Sequence, residues 1–220
     1  MRDRNVLTLV LQVKGYDRLI FDLSRVLRPG GLTTVCELEN HVFEVDHPPY
    51  ETVAYQTFPC TARAIDFIRG AITDQGIDLS AIHKIDEWLQ LGSLFWAETA
   101  KKYGYVQQYN SVLSDPYLFD FMIRIPNAGT IVASRGFRDI HREVVLIPTG
   151  TWHPDPNVQK VGSLASRTWI LAWKQLEPLL VEGGLTPEQA NEVATAAIQE
   201  LQCTELPVLF RYHVMYGTKI

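Results

Sequence analysis

The sequence predicts an α/β fold from three stretches of the chain. Apolar residues recur at helical spacing over residues 19–27, and a Pro-Gly-Gly sequence at 29–31 ends that helix. The segment Leu32–Leu38 is rich in β-forming residues and predicts a strand, and a last strand with alternating side chains is predicted at 208–216. A helix, a sharp turn and a buried strand in succession make half of a βαβ unit, so the sequence favours a sheet covered by helices.

The remaining elements follow from apolar spacing and from capping residues. A short buried strand is predicted at 143–147, and Asp17 is placed to cap the first helix. Thr186, followed by Pro187 and by Gln189 three positions on, has the pattern of a capping box and predicts the start of a helix. Apolar faces at helical spacing predict further helices over residues 61–72, 80–105, 166–180 and 187–202.

Composition and charge limit the classes of function. The chain has 220 residues, of which 46% are hydrophobic and 20% are charged, as expected for a single domain spanning 1–220. The net charge of −5 gives no basic excess for nucleic acid, and the apolar run at 6–11 is too short to span a membrane. Cys36, Cys60 and Cys203 are odd in number and widely spaced. We therefore expect free thiols and an intracellular location, in the cytoplasm or the nucleus.

Three motifs carry a resemblance to a known family. Residues 25–31 read RVLRPGG and lead into a strand that ends in acids, 147–152 read IPTGTW, and 212–219 read YHVMYGTK. With these motifs the chain resembles class I S-adenosylmethionine-dependent methyltransferases, and in particular the fungal methyltransferases that resemble regulators of secondary metabolism. That group typically ends in a YGRK-like sequence, and Thr218 stands here in place of the usual arginine.

The resemblance implies a fold, a cofactor and a class of substrate. The implied fold is an incomplete Rossmann-like class I methyltransferase sheet, made of the C-terminal strands, with a large helical insertion at 148–207 before the last strand. In the family the last two strands pair antiparallel, and the last strand lies beside the fifth, which corresponds here to Leu32–Leu38. The implied cofactor is S-adenosylmethionine, and the implied methyl acceptor is a small molecule or a protein.

The chain departs from the family in the part that binds the cofactor. Family members hold S-adenosylmethionine with a glycine-rich turn after the first strand, and this chain contains no G-x-G-x-G sequence. On the family pattern Met1 falls where the fourth strand ends. We therefore expect a domain truncated at the N-terminus that binds S-adenosylmethionine weakly or not at all. Missing strands would expose a sheet edge that favours self-association, and the apolar run at 6–11 is placed to cover part of it.

Acids at the end of the predicted strand are candidate substrate-binding residues. Glu37 and Glu39 lie where open α/β sheets place their ligands, and a carboxylate there can orient a hydroxyl or amine or act as a base. The alternative is that both are solvated loop acids. Nearby, His41, Asp46 and His47 are residue types that bind metals, but their spacing matches no metal motif and favours a surface loop. No metal is predicted.

Trp96 and Trp152 are the other candidate substrate-binding residues. Trp96 belongs to an aromatic group with Trp88, Phe95 and Tyr103, which either lines an apolar pocket or packs in the core. Trp152 matches a tryptophan of the fungal group, and the alternative is that it only holds its own turn in place. For each tryptophan, the sequence alone leaves the substrate-binding and the structural interpretation open.

Three functions remain open as well. The first is a methyltransferase acting on a small molecule or a protein side chain. The second is a non-enzymatic remnant or scaffold that keeps the substrate side of the fold and binds a partner. The third is an unrelated α/β binding domain in which the Arg-Pro-Gly-Gly sequence is coincidental. No catalytic residue is assigned, since no nucleophile–histidine arrangement can be recognised, and His141 and His213 are interpreted as structural or exposed.

Overall fold

The structure, a computed structural model, describes residues 6–9, 14–90 and 136–220. Its strands are β1 (Val6–Leu9), β2 (Leu32–Leu38), β3 (Phe43–Glu44), β4 (Phe137–Thr149) and β5 (Val208–Lys219). Its helices are α1 (Tyr16–Val26), α2 (Pro59–Asp74), α3 (Ile85–Gln90), α4 (Pro156–Glu182) and α5 (Pro187–Gln202), with a short 3-10 helix at Leu79–His83. The predicted α/β class is confirmed.

The chain divides into two compact units. The first contains the residues up to Cys36 together with Ser80–Glu143 and Val214–Ile220. The second contains Glu37–Leu79 and Val144–His213. Each unit has its own buried apolar cluster.

In the first unit, β5 lies between β2 and β4. The N–H of Lys219 donates to Gly31 and its carbonyl accepts from Gly30, whereas the N–H of the next residue, Ile220, donates to Gly136. Neighbouring residues of a strand direct their backbone groups to opposite edges, so β2 and β4 flank β5 on its two sides. Both run antiparallel to β5, because their later residues pair with its earlier ones.

The other edge of β2 is paired with β1. The two strands are parallel, with Val6 opposite Thr33 and Leu9 opposite Cys36. The sequence predicts that the apolar run at 6–11 covers part of a sheet edge, and Val6–Leu9 does so. The sheet of this unit therefore combines one parallel pair, β1 with β2, and two antiparallel pairs, β2 with β5 and β4 with β5.

Helix α1 supplies much of the first unit's core. The helix begins at Tyr16, whose ring is buried, and Gly15 is its N-cap. The prediction that Asp17 caps this helix is wrong, because Asp17 lies inside the first turn and accepts the N–H of Arg18 at 2.9 Å. Val26 is 62% exposed and lies off the apolar face. The buried cluster consists of Tyr16, Ile20, Leu23, Leu27, Val35, Ala81, Ile85, Leu89, Phe137 and Met215.

The second unit is built on three helices, α2, α4 and α5, packed against one another and against the start of β5. Trp169 of α4 stacks on Phe210 of β5 with ring centroids 4.4 Å apart. Glu200 of α5 accepts the backbone N–H groups of Cys60 and Thr61, each at 2.7 Å. The N-terminus of α2, which has no side-chain cap of its own, is thus capped by a neighbouring helix.

The two helices between β4 and β5 agree with the predicted helical stretch at 148–207. The capping box is confirmed, since Thr186 and Gln189 each accept the other's backbone N–H. Helix α4 begins at Pro156 rather than near 166, because Asp155 caps it by accepting the N–H of Asn157 at 2.7 Å. Two apolar residues of its first turns, Val161 and Leu164, are exposed. They do not continue the buried apolar face at 166–180, which is why the sequence pattern predicts a later start.

Strand β4 is longer than predicted and is buried only at its two ends. It spans Phe137–Thr149, and Val144 and Leu146 are 38% and 39% exposed, because the described residues leave that face uncovered.

Of the helix predicted at 80–105, the structure describes the end of the 3-10 helix and α3, and residues 91–105 lie outside the described residues. No described helix is long and apolar enough to cross a membrane.

Strand β5 alternates as predicted but buries its polar side chains. In the second unit Arg211 and His213 lie on one face and are 8% and 1% exposed. Phe210 and Tyr212 lie on the other face, against the helical core. His213 is therefore buried rather than exposed, and its imidazole needs a hydrogen-bond partner. Glu39, the first residue after β2, is that partner.

Candidate functional site

Glu39, Arg211 and His213 form a charged cluster in the second unit. The backbone N–H of Glu39 donates to the carbonyl of Arg211 at 2.9 Å, which aligns this residue with β5. Its Oε2 atom lies 2.8 Å from Nε2 of His213 and 3.3 Å from Nε of Arg211. Residues two apart in a strand share a face, so both side chains of β5 reach the same carboxylate oxygen.

The cluster is largely closed to water. The side chains of Glu39, Arg211 and His213 are 16%, 10% and 2% exposed. The guanidinium of Arg211 also lies 3.8 Å from a carboxylate oxygen of the more exposed Glu51, and 5.1 Å from the centre of the Phe43 ring. Electrostatic interactions are stronger in such surroundings than in water, so this carboxylate is held in a fixed position.

His41 lies two residues beyond Glu39. Its backbone N–H donates to the carbonyl of Glu39 at 2.6 Å, and its ring meets the edge of Phe43 at 5.9 Å. Burial, and next the positive charge of Arg69, lowers the pKa of His41 below its ordinary value. Nδ1 is buried and has no hydrogen-bond partner among the described residues. A neutral imidazole with an unpaired nitrogen therefore lies close in the chain to the carboxylate.

The two predicted acids are not solvated. Glu37 is fully buried, and Glu39 is mostly buried and engaged by Arg211 and His213. The alternative interpretation, that both are solvated loop acids, is therefore wrong. The end of β2 is covered on the face that carries Glu37 and Glu39. Whether these acids bind a substrate stays a prediction.

Trp152 belongs to a turn whose backbone is packed tightly. Gly150, at φ +92°, donates its N–H to the carbonyl of Gly162 in α4, and Thr151 donates to Thr204. A Cβ on Gly162 would overlap the carbonyl oxygen of Gly150. Gly150 of the resembling motif and Gly162 of α4 thus permit close packing of the turn on α4, which supports a structural role for the motif. The indole Nε1 of Trp152 is buried and has no partner among the described residues.

Of the other predicted aromatic residues, the structure describes Trp88. Trp96, Phe95 and Tyr103 lie outside the described residues, and Trp88 packs partly buried against the core of the first unit. The pocket interpretation therefore stays a prediction.

The possible metal-binding residues fall in a loop. Asp46 accepts a hydrogen bond from the hydroxyl of Thr52 at 2.6 Å, and the side chain of His47 is 80% exposed. Within residues 6–9, 14–90 and 136–220, no group of three or more His, Cys, Asp or Glu residues could hold a metal ion.

Among the described glycines at positive φ, none directly follows a parallel strand. A cofactor cradle of the family type needs a glycine turn directly after a parallel strand. Of the described glycines at positive φ, Gly30 precedes β2, and Gly76 and Gly184 follow helices. Gly150 follows β4, and a Cβ there would overlap the carbonyl oxygen of Thr204, so this turn is already filled by the chain itself.

Arg211 and His213 are the members of the cluster that sequence reasoning missed. The available signal was their polar character between two apolar stretches of the strand, 208–210 and 214–215. Comparison of the chain with models of known protein families and with curated proteins gives no match.

Proposed function

We propose that this chain is the acceptor-binding part of an S-adenosylmethionine-dependent methyltransferase, and that the Glu39 cluster holds the methyl acceptor. The acceptor is a hydroxyl or amine group on a small molecule or a protein. The observation that carries the proposal is the carboxylate of Glu39, which directly follows a sheet strand and is fixed by Arg211 and His213.

The arrangement of the strands supports the family part of the proposal. In the first unit, β1 and β2 are parallel, and β5 lies antiparallel between β2 and β4. The resemblance implies the same arrangement for the last strands of a class I methyltransferase.

The cluster supports the chemical part. A carboxylate can accept the hydrogen bond of an acceptor O–H or N–H, orient the lone pair that will react, and take the proton. Arg211 and His213 both contact Oε2, which fixes the direction of the carboxylate. His41, held neutral by its lowered pKa, is a second proton acceptor close in the chain.

A non-enzymatic binding domain is the second candidate, and a specific observation favours it. None of the described glycines at positive φ directly follows a parallel strand, where the family places its cofactor turn. On this alternative the same cluster binds the same class of ligand, but no methyl group is transferred.

Ligand-observed NMR on the full chain tests the acceptor site. The probes are simple phenols, aliphatic alcohols and primary amines, each measured against the matched compound without the hydroxyl or amine. We expect saturation transfer to the hydroxyl and amine compounds, lost in Glu39→Gln and retained in Glu205→Gln, an exposed acid in the same unit. Circular dichroism checks that both variants are folded. Binding that is absent, or that is equal in the two variants, contradicts the proposal.

Titration with S-adenosylmethionine tests whether this chain holds a cofactor site, and a positive result would decide between the two candidates. We expect no measurable binding and negligible methyl transfer by this chain alone, because the described residues lack the cradle. An affinity in the micromolar range, about −8 kcal/mol, together with transfer of a labelled methyl group to a bound phenol or amine, would establish the enzyme and place a cofactor site within residues 1–220.

A further inference from the structure

Helix α4 exposes large apolar side chains on its outer face. Its inner face contributes Trp173 and Leu180, both fully buried, to the core of the second unit. On the outer face Leu164 is 66% exposed, Leu171 is 63% exposed and Val161 is 46% exposed. Single exposed apolar residues are common on protein surfaces, whereas three on one face of one helix form a contiguous apolar surface.

The spacing of these residues is that of a coiled-coil seam. Val161, Leu164, Thr168 and Leu171 follow one another at intervals of three, four and three residues, which are the a and d positions of two heptads. Thr168 does not interrupt the seam, because its hydroxyl donates to the carbonyl of Leu164 at 3.0 Å and needs no outside partner. The seam ends before Pro178, which removes a helical N–H.

One flank of the seam is uniformly basic. Lys160, Arg167 and Lys174 are seven residues apart, all exposed, and each precedes an a position. None of the three forms an ion pair with a residue that the structure describes. The opposite flank carries Ala165 and Ala172, which are small and half-buried. In an otherwise acidic chain, this basic column beside an apolar seam has no partner within its own helix.

We propose that the outer face of α4 binds an α-helix of a partner protein that has an apolar a/d seam and acidic residues on the positions flanking it. In two-stranded coiled coils the residues flanking the seam select the partner by charge. A second copy of α4 does not meet this requirement, because residues 156–176 contain no aspartate or glutamate. Helix α5 exposes Glu188 and Glu192 but no large apolar side chain beside them. It therefore lacks the apolar seam that the partner helix must have. This surface is independent of the Glu39 cluster.

Fluorescence anisotropy with two designed helical peptides tests the proposal on the full chain. Both peptides are about three heptads long with leucine at a and d, and they differ only in carrying glutamate or lysine at e and g. We expect the glutamate peptide to bind about tenfold or more tightly than the lysine peptide. We also expect this preference to shrink when NaCl is raised from about 50 mM to about 300 mM.

Variants of the α4 surface distinguish specific binding at the seam from non-specific hydrophobic binding. The triple charge reversal Lys160→Glu, Arg167→Glu and Lys174→Glu should exchange the preference, so that the lysine peptide becomes the tighter ligand, a gain that misfolding cannot produce. Leu171→Ser should weaken binding of the glutamate peptide, whereas Val26→Ser, on an exposed residue of the first unit, should not.

Three outcomes would overturn the proposal. The first is equal binding of the two peptides, or no binding of either. The second is binding to vesicles of anionic lipid with the same dependence on the three basic residues, which would assign the face to a membrane. The third is a dimer in sedimentation equilibrium that Leu171→Ser dissociates, which would assign it to a second copy.

Discussion

Neutralising Glu39 should destabilise the second unit, because Arg211 would keep its charge in a site largely closed to water. Breaking a buried ion pair by removing one partner typically costs about 3 to 5 kcal/mol. Two features reduce that cost here: the side chains of the pair are 16% and 10% exposed, and Glu51 remains 3.8 Å from the guanidinium. We therefore expect Glu39→Gln to lower the free energy of unfolding by about 2 to 3 kcal/mol. The amide can still hydrogen bond to His213.

A double-mutant cycle makes this reasoning testable. Arg211→Met removes the charge but keeps an apolar stem over Phe43, so the double variant Glu39→Gln/Arg211→Met leaves no unpaired charge. We expect it to be more stable than Glu39→Gln alone, with a coupling energy of at least about 1 kcal/mol. Urea unfolding can be followed by tryptophan fluorescence, to which Trp169, stacked on the neighbouring Phe210, contributes, with circular dichroism as a second probe. Additive effects of the two substitutions would refute the account.

Glu51→Gln is the matched control for that cycle. Its side chain is 68% exposed, and it lies farther from Arg211 than Glu39 does. An exposed ion pair contributes little, so we expect a change of less than about 0.5 kcal/mol. A loss as large as that of Glu39→Gln would show that burial does not decide the strength of this cluster.

Three further predictions concern the rest of the chain. Thr186→Ala should lower the free energy of unfolding by about 1 kcal/mol in urea titrations, because it removes a formed cap, and Thr195→Ala in the exposed middle of α5 should cost much less. Gly162→Ala should cost more than about 2 kcal/mol because its Cβ has no room, while Gly70→Ala, with open space around it, should stabilise α2 by up to about 1 kcal/mol; the same titrations compare them. The lowered pKa of His41 means that the folded state binds fewer protons than the unfolded state. Stability should therefore fall as the pH drops below about 6.5, and His41→Gln should flatten that slope in thermal unfolding measured between about pH 7 and pH 5. An unchanged slope would show that His41 does not carry it.

Part of the candidate site could be predicted from the sequence. Glu39 was identifiable because it follows a strand recognisable by its β-forming residues and by the Pro-Gly-Gly turn before it. Its partners were not, because Arg211 and His213 lie more than 170 residues away in the chain, at separations of 172 and 174. Nothing local distinguishes a polar residue that faces solvent from one that meets a buried carboxylate.

The sequence by itself determined where the described helices and the strands β2, β4 and β5 occur and how several of them begin or end, but it did not predict β1 or β3. The capping box at Thr186 and the turn at Gly30 are set by hydrogen bonds and steric limits that act within a few residues, so the local sequence specifies them. Only the tertiary structure decided which faces are buried: it covered the polar face of β5 at Arg211, and it left the apolar side chains of Val144 and Leu164 exposed. Burial depends on what packs against a residue from distant parts of the chain, and that packing is not encoded in any short stretch of residues.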